Sequence, residues 1–241
     1  MAQSDIFDMG RRRDYIIAFL DLLGVPDDAA EAGRDILNLQ TLFLRCLENL
    51  GMKDNVIFMG FSDSLFVGYE VGIYNLEDTF PTRGVDFLKT LCNLQKATWA
   101  LKLPLRGGVS FGECYVLYQP RLPIVAGRPM RDAYQHEQNQ KWIGISIVPD
   151  TSVEPRFRPI YDTTVQAAED DNIIIQYDVP VSTGFENLWA LNWLDEDLEK
   201  LESDMEQERV KMQAISESIA SKYEATRNYA RWLARQGGRT E

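Results

Sequence analysis

The sequence is poor in the residues that build most metal centres and disulfide frameworks. It has one histidine, His136, and three widely spaced cysteines, Cys46, Cys92 and Cys114. An odd number of scattered cysteines argues against a disulfide framework and against a cysteine metal cluster, and this cysteine usage favours the cytoplasm. A single histidine gives little material for a histidine metal site or a Ser-His-Asp triad.

Long apolar runs and excess positive charge are also missing. No apolar run is long enough to cross a bilayer, and the first 15 residues lack the apolar region of a secretion signal. The formal net charge is −12, whereas a nucleic-acid-binding protein usually needs a basic face. We therefore expect a cytoplasmic protein with no nucleic-acid or membrane partner. The hydrophobic and charged fractions, 45% and 26%, are ordinary for a globular protein.

The chain alternates between strand and helix patterns. Buried-strand patterns cover residues 14–21, 55–61 and 64–70, and helical spacing covers residues 36–50 and 84–101. The segment "LPLRGGVSFGECYVLYQP" predicts a second hairpin, with its turn near Gly112. This order is that of the split βαβ, ferredoxin-like pattern. We predict an α+β fold with an antiparallel sheet and helices on one face.

The C-terminal segment has a different pattern. From Leu191 onwards the apolar residues recur every three or four positions, as in a heptad repeat. Two interpretations fit equally well: amphipathic helices packed on the domain, or a helical hairpin that helps two chains to dimerise. We predict one domain over residues 1–185 and a helical extension over residues 186–241.

Two aspartates stand at the ends of apolar strands. Asp21 ends the run "YIIAFLDLLG", and Asp63 lies at the turn of "VIFMGFSDSLFVGYE". In a split βαβ fold these strands are neighbours, so the two carboxylates can converge, which is unfavourable unless a cation lies between them. Mg²⁺ binds carboxylates together with substrate phosphates, and two such ions can catalyse an in-line displacement. Each aspartate alone is better explained as a turn or strand-end cap, but the pair favours a metal site.

Four motifs resemble those of the class III nucleotidyl cyclases. They are "IIAFLDLLG", "GFSDSLFVG" with Ser62 in place of a glycine, "LRGGVSFGE" and "GRPMRDAYQHE", within residues 14–148. Inside that family the sequence is most similar to the Pycsar pyrimidine cyclases of bacterial antiphage defence, on these segments and on "KYEATRNYARWL" near the C-terminus.

The resemblance implies a function and its partners. The family's reaction would convert UTP or CTP to the 3′,5′-cyclic monophosphate and pyrophosphate, with two Mg²⁺ or Mn²⁺ ions in each site. The enzyme would be a homodimer with shared active sites, and its product would act on a separate effector protein. A purine cyclase and an inactive, nucleotide-sensing cyclase-like dimer remain alternatives.

The same resemblance implies roles for individual residues. Asp21 and Asp63 match the metal ligands, and the backbone carbonyl of Leu22 matches a third ligand. The turn at Gly24 and Val25, although followed by Pro26, matches the turn that holds the triphosphate. Arg106 matches a phosphate-contacting arginine, and a strand arginine in a salt bridge is an almost equally good interpretation.

The sequence departs from the purine cyclases at the base and at the transition state. Met59 replaces a lysine and Ile124 replaces an Asp/Thr-type residue, so neither can read a purine edge by charge. We expect them to line an apolar pocket closed by Phe58 or Phe61. Arg131 and Gln135 replace the catalytic asparagine and arginine. Arg131 is either a substitute cation for the transition state or an exposed helix arginine beside Asp132. His136 is interpreted as an ordinary helix residue.

Overall fold

The computed structural model describes residues 10–23, 29–49, 56–61, 63–71, 80–117, 124–194 and 198–237. The strands are β1 (Gly10–Leu22), β2 (Val56–Phe61), β3 (Ser64–Glu70), β4 (Leu105–Leu117), β5 (Ile124–Gly127), β6 (Ile145–Ile147), β7 (Ile174–Val181) and β8 (Gly184–Leu191). The α-helices are α1 (Ala29–Asn49), α2 (Phe80–Ala100), α3 (Arg128–Asn139), α4 (Arg158–Asp170), α5 (Leu198–Gln213) and α6 (Glu217–Gly237).

The strands form one sheet in the order β2-β3-β1-β4-β6-β8-β7, with β5 paired to β4. Strand β1 is central and pairs antiparallel with β3 on one side and with β4 on the other. Among the described pairings only β4–β6 is parallel. The α+β class and the split βαβ core are therefore confirmed.

Strand β4 continues past the point where a turn was predicted. It pairs with β1 from Leu105 to Leu117, and Gly112 lies opposite Tyr15 in the middle of this ladder. The predicted second hairpin around Gly112 is therefore wrong. A side chain at Gly112 would come within 3.2 Å of the ring of Pro129, so the glycine provides room for α3 rather than a turn.

Helices cover both faces of the sheet. Alternate residues of β1 point to opposite sides. Ile16, Ala18 and Leu20 share a buried cluster with Phe87 and Leu88 of α2, whereas Tyr15, Ile17 and Phe19 pack with Ala133 of α3. The expectation that helices lie on one face is wrong, and burial on both faces explains why the apolar run of β1 is continuous rather than alternating.

The C-terminal segment is a helical hairpin packed on the domain. The heptad-like pattern starts at Leu191, but this residue is the last of β8, and helix α5 begins at Leu198. The two helices are joined by ion pairs between Glu206 and Arg227 and between Glu202 and Arg231. The role of this hairpin in dimerisation stays a prediction. The predicted domain boundary after residue 185 also stays a prediction, although this position lies within β8.

Aromatic rings join this hairpin to the sheet. The ring of Tyr229 in α6 lies 5.0 Å from that of Trp142 and 4.6 Å from that of Tyr177 in β7. Trp142 and Tyr229 are fully buried. Aromatic pairs of this kind contribute about 0.5–1.5 kcal/mol beyond their burial, so the hairpin is integral to the core. Across the described ranges, no helix is both long and apolar enough to span a membrane.

Candidate active site

Asp21 and Asp63 meet at adjacent strand ends. Asp21 is the penultimate residue of β1 and lies opposite Ser64, the first residue of β3. The amide of Leu22 donates a hydrogen bond to the carbonyl oxygen of Asp63 (3.0 Å), and Ser64 Oγ donates to Asp21 Oδ1 (3.0 Å). The convergence follows from β1–β3 pairing, which places the end of one strand beside the turn that starts the next.

Arg106 contacts Asp21 from the other side of β1. It lies directly opposite Asp21 on β4. Its Nη2 and Nε lie 3.2 and 3.4 Å from Asp21 Oδ2, and its Nη1 donates to the carbonyl of Gln140 (3.3 Å). The Arg106 side chain is only 9% exposed, so this is a buried ion pair rather than a surface contact.

Helix α3 adds a third carboxylate beneath Arg106. Glu137 is fully buried, and its Oε1 lies 2.5 Å from Arg106 Nε. The helix reaches this depth because it crosses β4 at Gly108. A side chain at Gly108 would overlap the carbonyl of Ala133 and lie 3.1 Å from the amide nitrogen of Glu137. Any larger residue at Gly108 would push Glu137 away from Arg106.

Helix α6 brings a lysine to the same cluster. Lys222 is only 8% exposed, and its electrostatic partners are Arg106, Asp21 and Glu137. One turn further along the helix, Thr226 Oγ1 accepts a hydrogen bond from the amide of Ile143 (2.7 Å). The C-terminal hairpin therefore contributes to the site through both charge and backbone support.

Burial and charge shift the titration of these groups. Burial raises the pKa of Asp21, and the Asp63 carboxylate raises it further, against the opposing effects of Arg106 and the Ser64 hydrogen bond. Burial raises the pKa of Glu137 to about 7, opposed by Arg106. Burial also lowers the pKa of Lys222 to about 8, with Arg106 acting in the same direction. Such shifts at one cluster of charged groups are typical of functional sites.

Comparison with known proteins gives structural matches alone. No protein-family model matches the chain, and no curated protein matches it. One similar solved structure is the adenylyl cyclase CyaB from P. aeruginosa, with a TM-score of 0.52 and 15% identity over 78% of this chain and 97% of that one. A second is the catalytic core of a rhodopsin-guanylyl cyclase with converted specificity in complex with ATPalphaS, with a TM-score of 0.52 and 13% identity over 76% of this chain and 98% of that one. A third is a bacterial light-regulated adenylyl cyclase, with a TM-score of 0.51 and 10% identity over 81% of this chain and 56% of that one.

The fold is that of a class III cyclase catalytic core. Sequence identities of 10–15% show that the fold is shared, but they do not identify the substrate of this chain. In this fold Asp21 and Asp63 lie at adjacent strand ends, as the sequence predicted, and Arg106 forms an ion pair with Asp21. The roles of all three residues stay predictions.

The donor set at Asp21 and Asp63 suits a hard divalent cation. The parts of the chain described contain no group of three or more His, Cys, Asp or Glu side chains that could hold a metal. Mg²⁺ needs fewer, because it binds through one or two carboxylates together with substrate phosphates. Burial is the main cause that raises the pKa of Asp21 and the Asp63 carboxylate adds to it, and a cation between the two carboxylates would oppose both effects. The residues present therefore fit the group, with the Leu22 carbonyl as the predicted third ligand.

Arg131 is not part of this cluster within one chain. It lies on the outer side of α3, where its side chain is 62% exposed and its Nη2 lies 3.2 Å from Asp132 Oδ1. Asp132 also accepts a hydrogen bond from Arg128 (3.1 Å). Gln135 lines a polar cavity of about 600 Å³ on the same side of the helix.

The predicted base-pocket residues are dispersed. Phe58 stacks on Phe43 of α1 (5.8 Å between ring centroids), whereas Met59 packs against the cluster on the opposite face of the sheet. Phe58 therefore cannot close a pocket formed by Met59, because successive strand residues point to opposite faces. Ile124 in β5 is 40% exposed, and its neighbour Val125 packs on the same cluster as Met59. Phe61 ends β2 opposite Ser64.

Gly24 and Val25 lie outside the described residues, so their triphosphate-binding role stays a prediction. Two functional candidates were missed from the sequence, Glu137 and Lys222. A signal existed for each, because a charged residue stands on an otherwise buried helix face: Glu137 is one turn after Ala133, and Lys222 is one turn before Thr226.

His136 should make stability pH-dependent in a predictable direction. Its Nε2 lies 2.9 Å from Ser146 Oγ, and burial lowers its pKa to about 4 from 6.5. Between these values the unfolded chain binds the proton and the folded chain does not. The stability that neutral His136 contributes is therefore complete above about pH 6.5 and is lost as the pH falls to about 4, by up to about 3 kcal/mol.

The measurement is the free energy of unfolding of the wild type and of His136→Gln across this pH range. The wild type should lose more stability on acidification than the variant. NMR offers a direct check, since the chain has one imidazole. Equal pH slopes for the two proteins would contradict the prediction.

Proposed function

We propose that the chain is a nucleotidyl cyclase that converts a pyrimidine nucleoside triphosphate, UTP or CTP, to its 3′,5′-cyclic monophosphate and pyrophosphate. The observation that carries the proposal is the meeting of Asp21 and Asp63 at adjacent strand ends, with Ser64 Oγ and the Arg106 guanidinium on the Asp21 carboxylate. The class III cyclase core supports the same reaction class. A cytoplasmic location and a product that acts on a separate effector in antiphage defence belong to this proposal.

In this reaction the 3′-hydroxyl oxygen forms a bond to the α-phosphorus, the bond from that phosphorus to the β-phosphate oxygen breaks, and the hydroxyl proton passes to solvent. Asp21 and Asp63, with the Leu22 carbonyl, would hold two Mg²⁺ or Mn²⁺ ions, which when bound supply activation of the hydroxyl and stabilisation of the leaving pyrophosphate. Arg106 and Lys222 place positive charge beside the triphosphate end of the site. Gly24 and Val25 would hold the triphosphate through their backbone.

The preference for a pyrimidine rests on the apolar residues at two base-reading positions. Neither Met59 nor Ile124 offers a charge or hydrogen bond to a purine edge. Within one chain Met59 packs on the same face as Val125, so Ile124, the neighbour of Val125 in β5, points to the other face. A small apolar pocket rejects a larger ring by steric overlap. Hydrogen bonds would then choose between uracil and cytosine, since an unpaired buried polar group costs about 1–3 kcal/mol.

The second candidate is a nucleotide-binding dimer without catalysis. It is favoured by the exposed position of Arg131, whose side chain pairs with its neighbour Asp132 rather than with any group of the Asp21 cluster. A protein lacking a cation for the transition state would bind triphosphates without turnover.

Incubation with each of the four ribonucleoside triphosphates and Mn²⁺ separates these possibilities. We expect one pyrimidine cyclic monophosphate to form at least about tenfold faster than any purine product, the discrimination available to an apolar pocket of limited size. Mass spectrometry identifies the products. Formation of cyclic AMP or cyclic GMP at the rate of the best pyrimidine product would refute the specificity, and triphosphate binding without any cyclic product would favour the non-catalytic dimer.

A further inference from the structure

One guanidinium is shared by two buried carboxylates at this site. Arg106 Nε lies 2.5 Å from Glu137 Oε1, whereas its two contacts to Asp21 Oδ2 measure 3.2 and 3.4 Å. The shorter contact is to Glu137, which is fully buried. Arg106 therefore has two partners besides Asp21, namely Glu137 and the Gln140 carbonyl, while its Nη2 and Nε also donate to Asp21 Oδ2.

The position of Glu137 is fixed independently of Arg106. Helix α3 is seated on β4 at Gly108, where any side chain would overlap the helix backbone. Behind it, Gln140 Nε2 donates to the carbonyl of Gly107 (2.8 Å), and Trp142 Nε1 donates to Gln140 Oε1 (2.7 Å). The carboxylate is thus held at a set depth beside the guanidinium.

Lys222 completes the charge balance. Glu137 and Asp21 are both electrostatic partners of this lysine, which α6 places at the cluster in a buried position. Arg106 alone would compensate the buried charge of Glu137 poorly, because its guanidinium also contacts Asp21. Lys222 favours the charged form of Glu137, which holds Arg106.

Asp21 cannot offer one oxygen fully to two cations. A guanidinium hydrogen-bonded to Asp21 Oδ2 occupies lone pairs that a divalent cation would need. We propose that Glu137 is a positioning residue of this site, which draws Arg106 away from Asp21 and so leaves the Asp21 carboxylate able to bind a divalent cation. The inference rests on the proposed function, since it assigns Asp21 to a metal site.

The test measures Mn²⁺ binding by the full-length protein in the absence of nucleotide, by titration followed by electron paramagnetic resonance. Glu137→Gln should weaken Mn²⁺ binding by about tenfold, equivalent to about 1.4 kcal/mol, because Arg106 would then pair with Asp21. Glu137→Asp should also weaken it, since the shortened side chain retreats from Arg106 without any change in net charge. The double variant Arg106→Gln/Glu137→Gln should bind Mn²⁺ at least as tightly as the wild type.

The matched control is Glu113→Gln. Glu113 lies towards the other end of β4, paired with Arg12 and Arg156, so this variant loses the same charge away from Asp21. Thermal unfolding checks that each variant is folded. The double variant removes both members of the Arg106–Glu137 pair, so neither charge is left buried without the other. Glu137→Asp keeps a carboxylate at the position. If Glu137→Gln does not fold, these two variants still test the inference.

The outcomes separate the inference from the function on which it rests. If wild-type protein binds Mn²⁺ and Glu137→Asp binds it equally well, Glu137 does not act by positioning Arg106 and the inference is overturned. Equal weakening in Glu137→Gln and Glu113→Gln would overturn it as well, because a general charge effect would then suffice. If the wild type binds no Mn²⁺ and Asp21→Asn is indistinguishable from it, the metal site of the proposed function fails, and the inference fails with it.

Discussion

Asp21→Asn and Asp63→Asn should each lower cyclic nucleotide formation by about a thousandfold or more, because either change removes a carboxylate ligand from a two-cation site. The two side chains are the same size as those they replace. Asparagine at position 21 can still accept the hydrogen bond from Ser64, and Arg106 keeps Glu137 and the Gln140 carbonyl as partners. The loss is therefore of charge and coordination rather than of packing.

Both variants should remain folded. Burial and Asp63 raise the pKa of Asp21, which means that the folded state disfavours the charge on this carboxylate. Removing that charge costs little stability at neutral pH, or increases it slightly. Product formation measured by mass spectrometry and thermal unfolding measured by circular dichroism test the two halves of the prediction.

Asp162→Asn provides the matched control, because Asp162 is an exposed residue of α4 away from this strand end. It should have wild-type activity. Near-wild-type turnover in either Asp21→Asn or Asp63→Asn would remove the basis for the cyclase proposal. Loss of activity together with loss of the folded state would mean that the aspartates are structural.

The strand ends of the site were predictable because they depend on local pattern. A short apolar run such as residues 15–20 is typical of a buried strand, and antiparallel pairing with the hairpin that follows fixes which end of it lies beside Asp63. The same logic failed within residues 105–117, where Gly112 was taken for a turn. Glycine can mean a turn or close packing, and only the position of Pro129 in α3 decides between them.

Contacts between distant segments were not predictable from spacing. Glu137 reaches Arg106 because α3 crosses β4 at Gly108, and Lys222 reaches both from a helix about eighty residues further along the chain. Nothing in a heptad-like pattern says which surface the helix will cover. The expectation that Phe58 closes a pocket with Met59 is wrong for a simpler reason: they are consecutive strand residues, so their side chains point to opposite faces of the sheet.

Mixing two inactive variants should restore activity if the active site is shared between two chains. Arg131 projects from the outer side of α3, exposed and paired with Asp132, whereas Asp21 lies at the cluster beneath the inner side of that helix. Within one chain the contact of Arg131 is with Asp132 rather than with the Asp21 cluster. In a two-fold symmetric dimer, each site would combine Asp21 of one chain with Arg131 of the other.

We therefore expect Asp21→Asn and Arg131→Ala to be inactive alone. When the two are co-refolded in equal amounts, roughly a quarter of wild-type activity should return. Half of randomly formed dimers are then mixed, and each mixed dimer has one complete site of two. Light scattering should first show a dimer, and co-purification of the Arg131→Ala chain through an affinity tag on the Asp21→Asn chain should show that mixed dimers form. Arg156→Ala, which changes another exposed arginine outside the site, should be active alone. If the Asp21→Asn and Arg131→Ala mixture stays as inactive as its parents although mixed dimers are present, Arg131 does not act across the dimer. An active Arg131→Ala parent would instead show that Arg131 is an exposed helix residue with no part in the reaction.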